Sequence, residues 1–147
     1  MYDASSVTSA GRAAKRIGVA ALAVKGTANT AVTLTGYSAG VEVFGEDGAD
    51  TPGMSTLLKL LFANGASTVY AVRVGAGGGL EAYQAAFAAL ANCDVQVVVC
   101  DSSELTTQKA LKTAVETASA ARGERIGVIG GSGDTAAQLV TRAEAIN

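Results

Sequence analysis

The sequence has 147 residues, the usual length of one domain. Its apolar fraction of 49% is sufficient for a core, but aromatic residues contribute only 5%. Alanine and valine must therefore fill that core through close packing of helices on a sheet. The net charge of −2 lacks the basic excess typical of nucleic-acid binders, so we expect no nucleic-acid partner.

Residue types that carry out catalysis or bind metals are scarce. There is no histidine, which removes the commonest general base and the commonest zinc ligand. The two cysteines, Cys93 and Cys100, are too few for a disulfide framework. No apolar run approaches the ~20 residues of a membrane span, and the first residues lack the pattern of a signal peptide. We therefore expect a protein that is made in a cytoplasm and has no membrane partner.

The first half of the chain predicts strands and helices in mixed order. A short apolar run indicates a buried strand, and an all-round apolar stretch ended by Asn64-Gly65 indicates a buried helix. In chain order the prediction is a strand at Ile17–Val24, an exposed extended piece at Thr30–Thr35, a short helix or turn at Tyr37–Phe44, and a helix with Asp50 or Thr51 as N-cap and Pro52 in its first turn.

The second half alternates strand and helix strictly. The predicted elements are a strand at Thr68–Val74, a helix at Leu80–Ala91, a central strand at Val95–Cys100, a helix from Ser102 or Ser103 to about Ala121, a strand at Arg125–Ile129, and a last helix capped by Asp134 with an inner stripe of Ala136, Leu139, Val140 and Ala143. This order predicts an α/β fold, a layered mostly parallel or mixed sheet with helices packed on its faces. We assign residues 1–16 to an N-terminal arm and residues 17–147 to a single domain.

One glycine loop resembles a dinucleotide site. The stretch VRVGAGGGLEAY places Gly75–Gly79 between a strand and a helix, and Asp101 ends the next strand where a ribose-binding carboxylate would lie. The spacing departs from G-x-G-x-x-G, because the position of the third glycine is occupied by Leu80. We interpret the loop as a flexible turn, with a small nucleotide- or dinucleotide-binding domain as the alternative.

Other polar loops do not match the pattern of a known site. The loop GGSGD lacks the lysine of a P-loop, its Ser132 has no histidine to activate it, and the acidic loop GEDGAD lacks the spacing of an EF-hand. A receiver-like module with Asp101 as phospho-acceptor is a third reading, but the second acidic pair of such modules is missing. We predict no catalytic residue, no bound cofactor and no metal site, and hence a protein that is not an enzyme.

An ordered series of segments resembles the contractile tail sheath proteins of phages and phage-derived particles. The matching residues are Val32-Thr33-Leu34-Thr35, Phe44-Gly45, Leu61-Phe62, Asn64-Gly65 and Tyr70-Ala71-Val72-Arg73-Val74, followed by the segments CDVQVVVCDSSELTTQKALKTAVETA and RIGVIGGSGDTAAQLVTRAEAIN. The similarity extends from about Ile17 to the last residue.

The resemblance implies a structural role. Sheath subunits stack in rings around an inner tube, and the sleeve shortens to drive the tube through a target envelope without nucleotide or catalytic residue. The implied partners are other sheath subunits, the inner tail tube protein and the baseplate. The implied location is the tail of a phage or tailocin virion, and terminal arms join neighbouring subunits by adding strands to a sheet. Sheath proteins are generally longer, so we expect a truncated chain or a proteolytic core.

Four basic residues are the candidates for contacts between subunits. Arg12, Lys15 and Arg16 form the basic cluster near the N-terminus, and Arg73 is a charge within an apolar strand. We expect the cluster to meet an acidic neighbouring surface. For Arg73 we expect an acidic partner such as Glu42 or Asp101, or a neighbouring subunit.

Overall fold

A computed structural model describes residues 15–131 and 133–147. Ten elements follow one another in these residues: β1 (Arg16–Ala21), β2 (Ala31–Leu34), α1 (Tyr37–Phe44), α2 (Met54–Ala63), β3 (Thr68–Arg73), α3 (Leu80–Ala91), β4 (Val97–Cys100), α4 (Leu105–Ala120), β5 (Ile126–Val128) and α5 (Ala136–Ile146). Most of the predicted N-terminal arm lies outside the described residues, and its last residue, Arg16, begins β1.

The strands form one mixed sheet in the order β2-β3-β1-β4-β5. β1 is parallel to β3 on one side and to β4 on the other, β5 is parallel to β4, and β2 is antiparallel to β3. The predicted α/β class is therefore confirmed. The prediction that Val95–Cys100 is the central strand is wrong: β1 occupies the centre, because two crossovers from it run to opposite sides.

Helices cover the two faces of the sheet and create two apolar clusters. α3 and α4 pack on one face, where the cluster includes Ala20, Val72, Phe87, Leu90 and Leu111. α1 and α2 pack on the other face, where Val19, Ala21, Phe44, Leu58 and Val69 are among the buried residues. Small strand residues allow this close approach, as the composition predicted.

The first two helices pack against each other through a glycine. A Cβ atom placed on Gly40 of α1 would lie 2.5 Å from a methyl carbon of Leu58 in α2, so any larger residue would push the helices apart. α2 ends as predicted. Gly65 adopts a left-handed φ of 90°, and its N–H and that of Ala66 bond the last free carbonyls of the helix.

The predicted caps of three helices are wrong. α2 begins at Met54, and its first turn is capped by Asp47 rather than Asp50 or Thr51. α4 begins after Glu104, while the Ser102 hydroxyl accepts a bond from the Glu104 N–H. α5 is capped by Thr135, which forms a reciprocal capping box with Gln138, and not by Asp134.

The predicted inner stripe of α5 is also wrong. Ala136, Leu139, Val140 and Ala143 are all exposed, and Leu139 and Val140 keep 46% and 58% of their surface. α5 packs along α4, and the sheet beneath it ends at β5. A helix stripe of this period is buried only where a strand lies under it, and the described sheet supplies none there.

Asp47 holds the acidic loop against the start of α2. One carboxylate oxygen accepts bonds from the N–H groups of Gly53 and Thr56 at 2.8 and 2.9 Å, and the Ser55 hydroxyl accepts from the Asp47 N–H. Partial burial acts to raise the pKa of Asp47, but these backbone donors outweigh it and hold the pKa below its ordinary value.

Replacing Asp47 by alanine should lower the free energy of unfolding by about 1 kcal/mol, the usual effect of losing a helix N-cap. The folded-state pKa lies below the unfolded one, so this contribution is present at neutral pH and lost as the pH falls through the ordinary carboxyl range. Urea unfolding of Asp47→Ala and of the exposed loop control Asp50→Ala, at neutral and acidic pH, measures it. Equal effects of the two substitutions would contradict the assignment.

Candidate functional site

The carboxyl ends of the parallel strands are where an α/β fold binds ligands. Asp101 follows β4 at this edge, beside the end of β1. One of its carboxylate oxygens accepts the N–H of Leu22 at 2.9 Å, and the other accepts the hydroxyl proton of Tyr83 in α3. The carboxylate that sequence considerations offered to a ribose or a phosphoryl group thus binds two groups of its own chain.

Burial determines the ionisation of this pair. Desolvation raises the pKa of Asp101, although the bonds from Tyr83 and Leu22 oppose the rise. Desolvation also raises the pKa of Tyr83, and the neighbouring carboxylate adds to the effect. The tyrosine therefore remains a neutral donor, and the pair ties the end of β1 to α3 and β4.

The Gly75–Gly79 loop lies against its neighbours instead of forming an open cradle. Gly77 and Gly78 adopt left-handed φ angles of 91° and 58°. A Cβ atom on Gly78 would lie 3.2 Å from the methyl groups of Leu22, so the loop rests on that side chain. This geometry favours the interpretation of the loop as a turn.

The glycine loop before α5 belongs to a buried polar network. Asp134 pairs with Arg142, whose guanidinium also donates to the Ser103 carbonyl at 2.6 Å and to the Gln108 side-chain oxygen at 3.0 Å. Gln108 is fully buried and donates to the Gly130 carbonyl at 2.7 Å. These contacts fix α5 on α4. Ser132, the serine of the loop, lies outside the described residues.

Another arginine caps a helix by reaching across the chain. The Arg125 guanidinium donates to the carbonyls of Leu90, Ala91 and Cys93 at distances of 3.0 to 3.4 Å, which satisfies the end of α3. Sequence reasoning missed Arg125, Arg142 and Asp47 as ordering residues. Their partners are mostly backbone atoms, which leave no pattern of side chains in the sequence.

The four predicted interface residues differ in their surroundings. Arg12 lies outside the described residues. Lys15 is exposed at the amino end of β1. Arg16 pairs with Asp94, and the side chains keep 38% and 70% of their exposure. A contact of Lys15 or Arg16 with another subunit remains a prediction.

Arg73 does not pair with Glu42 or Asp101, so that part of the prediction is wrong. Its guanidinium donates to the carbonyls of Ala23 at 3.2 Å and Gly26 at 2.7 Å, in the loop that follows β1. Asp101 is engaged elsewhere, and the loop carbonyls lie nearer to the end of β3. Arg73 therefore fixes the loop that connects β1 to β2.

Few groups in the described part of the chain suit catalysis or metal binding. Residues 15–131 and 133–147 contain no cluster of three or more acidic, cysteine or histidine side chains fit for a metal ion. Burial raises the pKa of the Cys100 thiol to about 11, so the thiol is protonated at neutral pH. A groove of about 590 Å³ between α3 and α4 is lined mainly by alanine and threonine, with Arg125 at one end. None of the helices in these ranges has the length and apolar character to cross a bilayer.

Comparison with solved structures identifies the architecture. The contracted helical sheath of the anti-feeding prophage superposes with a TM-score of 0.59 and 15% sequence identity. The chain shares its fold with part of a contractile sheath protein. The match covers 86% of the present chain but only 37% of the sheath chain. No protein-family model matches the sequence, and no curated protein is similar to it.

We expect Arg73→Ala to lower the free energy of unfolding by about 1–3 kcal/mol, because two bonds from a charged donor are lost and two carbonyls lose their partner. Arg73→Lys should recover only part of this, since an ammonium group cannot reproduce the fork of a guanidinium. Chemical denaturation measures both variants beside Lys25→Ala, an exposed residue of the same loop. An Arg73→Ala variant as stable as the parent would refute the role.

The Arg142 network predicts a local effect. Arg142→Met should leave Gln108 and Asp134 without a partner and loosen α5 while the sheet stays folded. Limited proteolysis should then cut within residues 130–147 at least about tenfold faster, because the population of the open form sets the rate. Lys112→Met, on the exposed side of α4, is the matched control. Uniform cleavage along the chain would instead indicate global destabilisation.

Proposed function

We propose that this chain is a structural subunit of a contractile tail sheath, which polymerises around an inner tube and contracts to drive it through a target envelope. The observation that carries the proposal is the superposition on the anti-feeding prophage sheath over 86% of the chain. The chain spans 37% of that protein's length, so the contacts of the remaining sheath are part of the proposal.

The internal chemistry of the fold supports a role without catalysis. Asp101 and Tyr83 bind each other, and Asp47, Arg73 and Arg142 bind mainly backbone groups or each other. Charged side chains used in this way hold a subunit rigid, which a sheath requires if rotation of rings is to be transmitted between subunits. The partners in this proposal are other sheath subunits, the inner tail tube protein and the baseplate, in the tail of a phage or tailocin particle.

Electron microscopy tests the proposal directly. Antibodies raised against the purified chain should decorate the outer sleeve of tail-like particles from the source cells, along its whole length. Thermal melting of the purified chain with millimolar NAD or ATP should show no change. Absence of the label from sleeves, or a rise of several degrees with a nucleotide, would overturn the proposal in favour of a nucleotide-binding domain.

A charge reversal tests the predicted interface. Lys15→Glu should reduce co-assembly of the subunit into sleeves, most strongly at low salt, because an attractive contact with an acidic neighbouring surface becomes repulsive. The matched control is Lys25→Glu, an exposed lysine at the opposite end of β1. Sedimentation of sleeves measures assembly, and thermal melting verifies that both variants fold. Assembly of Lys15→Glu equal to that of the control would exclude Lys15 from the interface.

A further inference from the structure

The outer edge of β5 borders an open apolar cleft. The cleft is bounded by α4, β5 and α5 and has a volume of about 640 Å³. Its walls include Val115 of α4, Gly127 of β5, Ile129 just after β5, and Ala143 and Ile146 of α5. Neither the site at the carboxyl edge of the sheet nor the interface residues discussed above include it.

The floor of the cleft offers unpaired backbone groups. Ile126 donates its N–H to the Gln96 carbonyl at 3.0 Å, and Gly127 is paired in register with Val98. In a parallel ladder alternate residues bond to one neighbour, so the N–H and C=O of Gly127 point away from β4 and into the cleft. These groups repeat at the spacing of a strand and suit a peptide backbone.

Apolar side chains continue on the other face of the same edge. Ile126 and Val128 alternate with Gly127 and therefore point away from α4, where they keep 61% and 49% of their exposure. α1 and α2 cover β1, β2 and β3 on that face but do not reach β5. A strand beside β5 would extend the sheet and cover apolar groups above and below it at once.

The walls restrict the shape of the occupant. Two β5 edges paired antiparallel about a two-fold axis would bring α4 and α5 of both copies to the same face, where they would compete for one space. A single strand needs only about 4.8 Å of width beside its neighbour. A compact apolar ligand would fill the walls but leave the backbone groups of Gly127 unbonded.

We propose that the cleft between α4, β5 and α5 is a docking site for one extended polypeptide segment of a partner chain, with apolar side chains at alternate positions, which pairs with the edge of β5. The mode is strand addition, in which backbone bonds supply affinity and wall pockets select alternate side chains. The inference stands on the cleft alone and does not require that the protein be a sheath subunit.

Amide hydrogen exchange with a defined peptide tests this inference. The probe is a synthetic TVYAVRV peptide, which has the sequence of Thr68–Val74 and the required alternation. A millimolar concentration should slow exchange at Gly127 by about tenfold, as expected when the peptide is present at ten times its Kd. The control peptide TPYPVRV carries prolines at two alternate positions and should give no protection, because proline cannot donate to a ladder.

Variants of α5 locate the effect. Ala143→Arg should fill the cleft and abolish the protection, whereas Ala145→Arg, an exposed alanine outside the cleft wall, should leave it unchanged. Protection of β2 instead of Gly127, or equal effects of the two arginine variants, would overturn the proposal. Protection of Gly127 that rises with protein concentration without peptide would overturn it in favour of a second copy. Sleeve labelling is measured separately, so either proposal can fail alone.

Discussion

The fold depends on the central position of β1. This strand pairs in parallel with β3 and β4, and its residues Val19, Ala20 and Ala21 are completely buried because helices cover both of its faces. Small side chains at these positions let α3 approach on one side and α2 on the other. With so few aromatic residues, the packing energy comes from many short contacts, and any added methylene in β1 would disturb both layers.

Charged side chains then fix the segments that the apolar layers leave free. Arg73 holds the loop after β1, Arg125 the end of α3, Asp47 the start of α2, and Asp101 the end of β1. Each of these groups bonds a backbone atom distant in sequence, so a loop is fixed without a large side chain. The same use of charge leaves the carboxyl edge of the sheet without a free acid or base beside the glycine loop.

Sequence patterns predicted those parts of the fold that depend on local chemistry. The bounds of α1 and α3 agree with the predicted Tyr37–Phe44 and Leu80–Ala91, and Asn64-Gly65 ends α2 as a left-handed stop. These features follow from periodicity and from glycine conformation within a few residues. The α/β class followed from the alternation of strand and helix in the second half.

Properties that depend on distant partners were not predictable in this way. Asp47 caps α2 from outside the sequence window of a normal cap, and Arg73 has carbonyl partners that no acidic residue marks. The strand order was misjudged because apolar runs in β1 and β4 look equally buried, and the number of neighbours is a property of the assembled sheet. The glycine loop resembled a binding site because turn and phosphate cradle need the same residue.

The two ends of the sheet differ in a way that bears on function. The edge at β2 lies beside α1, and Leu34 is buried, whereas the edge at β5 exposes Ile126 and Val128 and lies under a helix whose apolar residues are exposed. An isolated domain gains nothing from such a surface, since exposed apolar groups cost solubility. A subunit built to receive another chain uses it to gain specific contacts. The coverage of the sheet therefore agrees better with a protein that works within an assembly than with one that binds a small ligand alone.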